Sequence, residues 1–514
     1  TACTAGAGVC STSGVLACGL DGVGTTCDAP PAPDSIVTGN YTITDQTSVD
    51  ALACVTRITG TLTANATALA RIEIPRLTEI GGALTITSNT VLEYLSMPSL
   101  NKVTGATTIT GNPLGDLDAD PLTPQGINLS AFTTATGGIN VSSTALETLD
   151  LAHVTGTIDY LRVRDCPNLE TLDLRYITTT TGRLNWGCIG GYSEAIGLCN
   201  LPSLSTLNLD SLTTIWTGGL TLSSTGVPRL QLPNLRGAIA FVGISGNGSL
   251  RSVSANGLES VNQTYPGFNV ASNPSLEHLS LSGLTTVTGT ITITGNPLGD
   301  LDQDPLTPQG INLSALTTST GGINIRSSGL TTLNLSSLTG TLQYLLVRDC
   351  PELRTLNVGT ITTTTGYLNW GCNGGSDSIA LCNLPLLTSV NLDRLTTMAS
   401  TIGGLVVSST GLTNLQIPGL TGTAWLSIQN NSSLQDFSAN SLASIQTSLS
   451  ITNNPGLSSF VLDGLDTFPT GASTIIRIQT NAALDCATDI CPFKAQLDAI
   501  PYPGTWTISP CTCP

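Results

Sequence analysis

Two short acidic runs contain the residues of this chain that are best suited to chemistry. Each follows the sequence Gly-Asn-Pro-Leu-Gly and places aspartates at alternate positions. The first run contains Asp116, Asp118 and Asp120, and the second contains Asp300, Asp302 and Asp304. Three carboxylates at alternate positions of a loop provide the oxygen ligands that Ca²⁺, a hard cation, prefers. The runs therefore predict a calcium site. The alternative is a solvated turn that each Asp-Pro pair closes.

The remaining polar residues do not form a catalytic pattern. The two histidines, His153 and His278, have no Ser, Cys or carboxylate motif beside them. Glycosidases and lyases need clustered carboxylates or a Lys/Arg–Asp group, and no such cluster repeats along the chain. The C-terminal cysteines lack the second Cys pair or the His residues of a zinc site. We therefore predict a protein that is not an enzyme and has no cofactor apart from calcium.

Composition and charge exclude several classes of partner. The chain has 514 residues, of which 10% are charged, 4% are aromatic and 40% are hydrophobic, and its net charge is −17. Without any Lys/Arg cluster, this acidic balance argues against nucleic acid and against anionic membranes. No run of 18 apolar residues occurs, so we predict no membrane insertion.

Cysteines and glycosylation motifs indicate a secreted or cell-surface protein. Many of the 15 cysteines lie near the two ends, as expected for disulfide-rich caps in an oxidising compartment. The first residue is Thr rather than Met, which is expected if a signal peptide has been removed. Ten Asn-x-Ser/Thr motifs predict N-linked glycans at Asn40, Asn65, Asn128, Asn140, Asn247, Asn262, Asn312, Asn334, Asn430 and Asn431.

Short repeated phrases predict a solenoid. Segments such as GALTITSN (82–89), GTITITGN (289–296) and SLSITNN (448–454) alternate apolar and polar residues and then reach Asn. They recur at intervals of about 18–26 residues, which indicates one short strand per stacked turn. We predict an all-β solenoid of about 17 turns over residues 39–480. A Cys-rich N-terminal segment, 1–38, and a Cys-rich C-terminal cap, 481–514, flank it.

The Asn that ends each phrase is expected to stand at a corner of its turn. There its side-chain amide can bond backbone groups of adjacent turns that the bend leaves unpaired. In VRDCPNL and VRDCPEL the corner residue is Cys166 or Cys350 instead. We interpret these two as buried corner residues; the alternative is a pair of reactive thiols.

Part of the solenoid is duplicated. Residues 108–188 align with 292–372 at an offset of 184, and after one deletion the block extends to 199 and 382. Each copy contains a loop that a local disulfide is predicted to close, Cys188–Cys199 in the first and Cys372–Cys382 in the second. Trp186 and Trp370 lie beside these loops as candidate contact residues, although packing within the loop would also explain them.

The repeats resemble a known family. GNYTITDQTSVDALACVTRITGTLTANATAL (39–69) is similar to the opening of receptor L-domains. The L-P-x-L-x-x-L and G-x-L-x-I-x-x-N-P-x-L phrases resemble those of secreted fungal cell-wall glycoproteins with leucine-rich repeats. The resemblance covers roughly residues 35–485 and implies a right-handed parallel β-helix with structural or binding duties at the cell surface.

Three functions remain open at this point. The first is a structural glycoprotein that self-associates, or joins other surface proteins, in a wall, sheath, appendage or filament. Because the number of cysteines is odd, one of them could pair between subunits. The second is a monomeric receptor-like ectodomain that binds a glycan or a protein. The third is ice binding by rows of Thr, although other residue types interrupt those rows.

Overall fold

The computed structural model covers most of the chain. The described residues are 2–5, 12–18, 25–28, 35–115, 126–185, 187–188, 192–265, 267–299, 310–369, 371–372, 375–398, 402–467, 475–500, 505–509 and 511–513. Strands account for 44% of the structure and helices for 4%, and the strands form a parallel β-solenoid of about 18 turns. The predicted all-β solenoid is therefore confirmed. The chain divides into two units, Thr1–Leu235 and Arg236–Pro514.

The first unit stacks short strands in three parallel series. Its main sheet contains Tyr41–Ile43, Leu62–Asn65, Leu84–Thr87, Thr107–Thr110, Ile139–Ser142, Leu161–Arg164, Glu194–Leu201 and Gly219–Thr225. The second series contains Arg71–Glu73, Tyr94–Ser96, Gly126–Asn128, Thr171–Asp173, Thr206–Asn208 and Arg229–Gln231. The third contains Ser35–Val37, Val55–Ile58, Glu79–Ile80, Lys102–Val103, Thr134–Ala135, Gly156–Ile158, Ile177–Thr180 and Thr214–Ile215. A helix, Gln46–Asp50, and an antiparallel sheet of Ala2–Ala5, Thr12–Cys18 and Thr25–Asp28 belong to the same unit.

The second unit repeats this plan. Its main sheet contains Val242–Ser245, Phe268–Ala271, Ile291–Thr294, Ile323–Arg326, Leu345–Arg348, Ser376–Leu384, Gly404–Thr410, Gly422–Gln429, Ser444–Thr452, Ile475–Gln479 and Thr505–Ser509, with Leu368–Asn369 antiparallel to one strand. The second series contains Ser252–Ser254, His278–Ser280, Gly310–Asn312, Thr332–Asn334, Thr355–Asn357, Asn414–Gln416, Asp436–Ser438 and Ser459–Val461. The third contains Gly237–Ile239, Leu258–Val261, Thr286–Val287, Thr318–Ser319, Thr339–Leu342, Thr360–Thr364 and Thr397–Met398.

Alternation along each main-sheet strand creates the core. In Leu84–Thr87, Leu84 and Ile86 are fully buried, whereas the Thr residues between and after them are half-buried on the other face. This strand pairs in parallel with Thr107–Thr110, so that Ile86 stands opposite Ile109. Because the side-chain period is two, the stacked turns superpose apolar residues on the inside and polar residues on the outside. One turn alone could not bury its apolar face, but its neighbours cover it.

Asparagines form a ladder at one corner of the stack. In the second unit the backbone N–H and the side-chain Nδ2 of Asn247 both donate to Asn273 Oδ1, at 3.0 Å each. Asn273 contacts Asn296 in the same way, again at 3.0 Å. All three side chains are buried. The predicted role of the corner amide is therefore confirmed, since each one satisfies backbone and side-chain groups of adjacent turns.

The residue before each corner asparagine has a left-handed backbone conformation. Ser88, Ser272 and Asn453 have φ values of 56°, 56° and 57°, and Gly246 and Gly295 occupy the same left-handed region at 67°. Only glycine enters this region without steric cost, and asparagine tolerates it better than most residues. The small and polar residues before each Asn are therefore explained by the backbone conformation.

Cys166 and Cys350 occupy the corner in their turns and are fully buried. Their thiols donate to the carbonyl oxygens of Arg164 and Arg348, at 3.2 and 3.3 Å. Burial is the main cause that raises the pKa of each thiol to about 11. The interpretation as buried corner residues is confirmed.

We expect neither thiol to react with a thiol reagent in the native protein at pH 8, because the thiolate is scarce and the sulfur is shielded. After denaturation both should react completely. Mass spectrometry of peptides from protein labelled before and after denaturation measures this. Native labelling of Cys166 or Cys350 at the rate found in denaturant would contradict the result.

Threonines link consecutive turns along the third series of strands. In the first unit, the hydroxyl of Thr178 donates to the Gly156 carbonyl at 3.2 Å, and that of Thr213 donates to the Thr178 carbonyl at 2.9 Å. In the second unit Thr317 donates to the Thr285 carbonyl at 3.1 Å. These hydroxyls join one turn to the next, so many of the threonines have a structural role.

The C-terminal end is closed by helices and disulfides. A π-helical turn, Cys486–Ile490, leads into the helix Cys491–Asp498. Phe493 of this helix packs edge-to-face on Phe460, with ring centroids 5.1 Å apart. Disulfides join Cys486 to Cys511 and Cys491 to Cys513. Near the other end Cys54 is disulfide-bonded. Within the described ranges, no helix is long and apolar enough to cross a membrane.

Candidate functional site

The predicted calcium ligands Asp116, Asp118, Asp120, Asp300, Asp302 and Asp304 all lie outside the described residues. The part of the chain that the structure describes contains no group of three or more His, Cys, Asp or Glu side chains able to hold a metal. His153 is exposed and lies 4.0 Å from Asp150, and His278 is half-buried. Calcium binding by the acidic runs stays a prediction.

Two of the ten glycosylation motifs belong to the asparagine ladder. The side chains of Asn247 and Asn431 are fully buried. Asn431 Nδ2 donates to the Val407 carbonyl at 3.0 Å and to Asn454 Oδ1 at 3.2 Å. A glycan would have to be attached to this buried nitrogen, so we expect no glycan at Asn247 or Asn431 in the folded chain, and N-glycosylation at the other motifs stays a prediction. The other eight asparagines are exposed or half-buried.

We expect N-glycans in secreted material only at residues from the accessible set: Asn40, Asn65, Asn128, Asn140, Asn262, Asn312, Asn334 and Asn430. Enzymatic deglycosylation in ¹⁸O water, followed by peptide mass spectrometry, marks each occupied asparagine. Label at Asn247 or Asn431 in folded protein would contradict the ladder geometry. Unglycosylated protein treated in parallel controls for spontaneous deamidation.

The two disulfide loops have the same local frame. Disulfides join Cys188 to Cys199 and Cys372 to Cys382. In the first loop Ser193 Oγ donates to Asn185 Oδ1 at 2.7 Å. In the second, Ser376 Oγ donates to Asn369 Oδ1 at 2.9 Å. Trp186 and Trp370 lie outside the described residues, so their role as contact residues stays untested.

Beneath the first loop lies a buried ion pair. Glu194 is 1% exposed and Arg162 is 5% exposed. Glu194 Oε2 lies 3.7 Å from Arg162 Nε, and Oε1 accepts a bond from the Cys188 N–H at 2.7 Å. Arg162 also donates to the carbonyls of Leu184 and Asn185, at 3.3 Å each. Burial lowers the pKa of Arg162, and the charge of Glu194 opposes this effect. The pair therefore attaches the loop to the main sheet.

Beneath the second loop, the position equivalent to Arg162 does not hold an arginine. Asp377 occupies the place of Glu194, and its Oδ2 accepts a bond from the Cys372 N–H at 2.7 Å. Leu346 stands where the first copy has Arg162, opposite Ala380 in the register. Burial raises the pKa of Asp377 to about 6, against the lowering effects of the Cys372 hydrogen bond and of Arg348. Leu346 instead packs with Tyr344, Ala380, Val406 and Trp425 in an apolar cluster.

A compensating change accommodates the different lengths of the acids. A methyl group on Gly197 would overlap with the Glu194 carboxylate and would approach Cys188 Sγ to 3.3 Å. The second copy has a methyl group at this position, in Ala380, together with the shorter acid Asp377. The two loops therefore share the same backbone arrangement but pack different side chains beneath it. Because Glu194 and Asp377 are shielded from solvent, both act within the fold rather than on a substrate.

Outside the loops, the first unit has an open groove of about 710 Å³. Its lining is Glu147, Thr148, Leu149, Asp150, Asn168, Glu170, Thr171, Asp173 and Ser203. Asp173 is paired with Arg175, which holds the pKa of that carboxyl below its usual range. At the matching positions the second copy has Thr331, Asn334, Arg354 and Asn357 in place of the four acids. The acidic character therefore belongs to the first copy alone.

Trp216 is a surface residue that sequence reasoning missed. It follows the strand Thr214–Ile215, and its side chain is 74% exposed. Its backbone N–H donates to the Thr180 carbonyl at 2.9 Å, so it continues the stack by one position. The similarity of the two copies continues beyond residues 199 and 382, from 200–215 to 383–398. The residue that aligns with Trp216 is then Ala399, and this difference is a signal in the sequence.

Comparisons with known proteins give limited similarity. No protein-family model matches the chain. A cell surface GPI-anchored protein of Arthroderma benhamiae is 28% identical over 149 residues, which is 27% of this chain and 37% of that protein. The crystal structure of a TLR13–ssRNA13 complex has 13% sequence identity and a TM-score of 0.20, over 91% of this chain and 77% of that one. A TM-score this low supports no conclusion about fold or function.

Proposed function

We propose that the protein is a non-enzymatic, extracellular structural glycoprotein that forms part of a cell-surface assembly. Similarity to a fungal cell-surface protein supports the location. The disulfides in both units agree with it, because such bonds persist in oxidising compartments.

The main support for a structural role is that polar side chains of the solenoid form hydrogen bonds within the solenoid itself. Asparagine amides and threonine hydroxyls bond the backbone of adjacent turns, and the buried carboxylates of Glu194 and Asp377 accept bonds from the backbone of the two disulfide loops. A stack whose polar groups are committed to its own turns is suited to rigidity. Catalysis, in contrast, requires acid and base groups that a substrate can reach.

The number of cysteines without an assigned partner supports a disulfide between chains. Among the described residues, four disulfides with both partners assigned account for eight of the 15 cysteines, and Cys166 and Cys350 are free and buried. The five that remain are Cys3, Cys10, Cys18, Cys27 and Cys54. Because five is an odd number, these cysteines cannot all pair with one another, and one of them can form a bond to a cysteine outside this set, such as one of a second chain.

Non-reducing electrophoresis of native material tests this proposal. We expect covalent dimers or larger species that collapse to one band on reduction, with cross-linked peptides from the first 54 residues. A Cys166→Ser, Cys350→Ser variant serves as control, because these buried residues should not change the pattern. Monomers alone before reduction would oppose an assembly joined by disulfides.

A second candidate function is a receptor-like ectodomain that binds a glycan or a protein. The groove and the exposed Trp216 of the first unit favour it, since both belong to the first copy and are altered in the second. Binding and assembly are compatible in one surface protein.

A further inference from the structure

Trp216 lies on a row of outward side chains in three consecutive turns. The register pairs Ile158 with Thr180 and Thr180 with Ile215, and these three residues face the interior. The residues that follow them, Asp159, Thr181 and Trp216, therefore occupy one outward position, about 4.8 Å apart from turn to turn.

Hydrogen bonds order this row without covering the indole. Thr181 Oγ1 donates to Asp159 Oδ1 at 3.3 Å, and Thr217 Oγ1 donates to the Thr181 carbonyl at 3.0 Å. Gly182 leaves room for the Asp159 carboxylate, since a side chain at that position would overlap with it. The indole consequently stands in solvent one turn from the Thr181 hydroxyl and two turns from the Asp159 carboxylate to which that hydroxyl is bonded.

A second row of hydroxyls runs parallel to the first. Thr157, Thr179 and Thr214 are paired in register and lie two residues before Asp159, Thr181 and Trp216. Residues two apart on a strand are about 6.6 Å apart and share a face. The surface beside Trp216 is therefore rich in hydroxyls. Asp159 lies on the same row, and Arg183 lies near Gly218, two residues after Trp216.

The duplicated copy shows that the fold does not require Trp216. Asp159, Thr181 and Trp216 align with Gln343, Thr365 and Ala399. A second exposed aromatic of the first copy, Tyr176, is 51% exposed and aligns with Thr360. Both aromatic residues are thus confined to the first copy, although the two copies share the same turns.

We propose that Trp216, Asp159 and the neighbouring Thr hydroxyls form a binding subsite for a neutral, β-linked polysaccharide. A β-linked pyranose presents a flat C–H face that can stack on an exposed indole. Equatorial hydroxyls of the polymer can bond the neighbouring Thr hydroxyls and, further along the chain of sugars, the Asp159 carboxylate two turns away. A nucleic acid does not fit a chain of net charge −17. A protein hot spot would stand in a desolvated pocket rather than on an open row.

Sedimentation of the full chain with insoluble cellulose, chitin and β-1,3-glucan, with insoluble starch as the α-linked control, tests the proposal. We expect retention on at least one β-linked polymer, an at least tenfold weaker affinity for Trp216→Ala, and recovery with Trp216→Tyr. Asp159→Gln, which introduces the residue of the second copy, should weaken binding about threefold.

Tyr265→Ala is the matched control, because Tyr265 is 68% exposed and lies in the second unit. It should bind like the wild type, and thermal denaturation should show that all variants fold. The proposal is overturned by retention on none of the β-linked polymers, by equal retention on starch, or by wild-type affinity of Trp216→Ala. Monomeric chain suffices for these measurements, so their outcome is independent of the assembly proposal.

Discussion

Replacement of Glu194 by Gln is expected to lower the free energy of unfolding by about 3 kcal/mol, because Arg162 would remain buried without its carboxylate. Arg162 is only 5% exposed and cannot reach solvent without displacing the loop. Its bonds to two carbonyls would remain, but they do not neutralise its charge.

The equivalent change in the second copy should have the opposite sign at neutral pH. Asp377→Asn removes a buried charge whose folded-state pKa is about 6, above its ordinary value of 3.8. The folded chain thus binds this proton more tightly than the unfolded chain, so wild-type stability falls as pH rises from about 4 to 6. Above that range the variant should be more stable by about 2 kcal/mol. Below about pH 4 the gain should vanish.

Urea denaturation of both variants between pH 4 and 8 checks this pair of predictions. The double variant Glu194→Gln, Arg162→Leu is the matched control, because it removes both buried charges of the first loop and introduces the Leu of the second. It should recover much of the stability lost by Glu194→Gln alone. Equal destabilisation by Glu194→Gln and Asp377→Asn at pH 7 would contradict the assignment of the two sites.

Asn273→Ala is expected to destabilise the second unit by about 4 kcal/mol, because the alanine would interrupt the ladder on both sides. The N–H and Nδ2 of Asn247 would lose their acceptor. Asn296 Oδ1 would lose the Nδ2 donor, whereas the backbone N–H of residue 273 could still donate to it. The site is fully buried, so water could not replace these bonds without entering the core.

Asn273→Cys is the control for this change, since cysteine occupies the same corner at Cys166 and Cys350. There the Ser327 N–H donates to Cys350 Sγ at 3.4 Å, and the thiol donates onward to a carbonyl. The cysteine variant should lose about half as much stability as the alanine variant. Thermal denaturation in reducing buffer provides the comparison. Equal losses, or a loss under 1 kcal/mol for alanine, would show that the ladder matters little.

The turns and corners could be predicted from sequence because they follow local rules. Alternation in GALTITSN, read with a period of two, identifies the core strand Leu84–Thr87, and Asn89 marks its corner. The resemblance to L-domains added a parallel solenoid, and the structure has one. Repetition made each signal visible many times.

The loop interiors could not be predicted in this way, because their partners are distant in sequence. Arg162 pairs with Glu194, which lies 32 residues further along the chain. An outward position in a strand is normally solvated, and nothing in LRVRDC indicates that the first of its two arginines is buried. The burial of two sequons could not be predicted for a related reason. A motif such as Asn431-Ser-Ser carries no information on which asparagines belong to the ladder.

Electron microscopy of the protein isolated from its native surface tests the proposed assembly most directly. We predict ordered assemblies that contain this chain, and their dissociation or fragmentation after disulfide reduction. Native material that contains only separate single chains, before and after reduction, would contradict it.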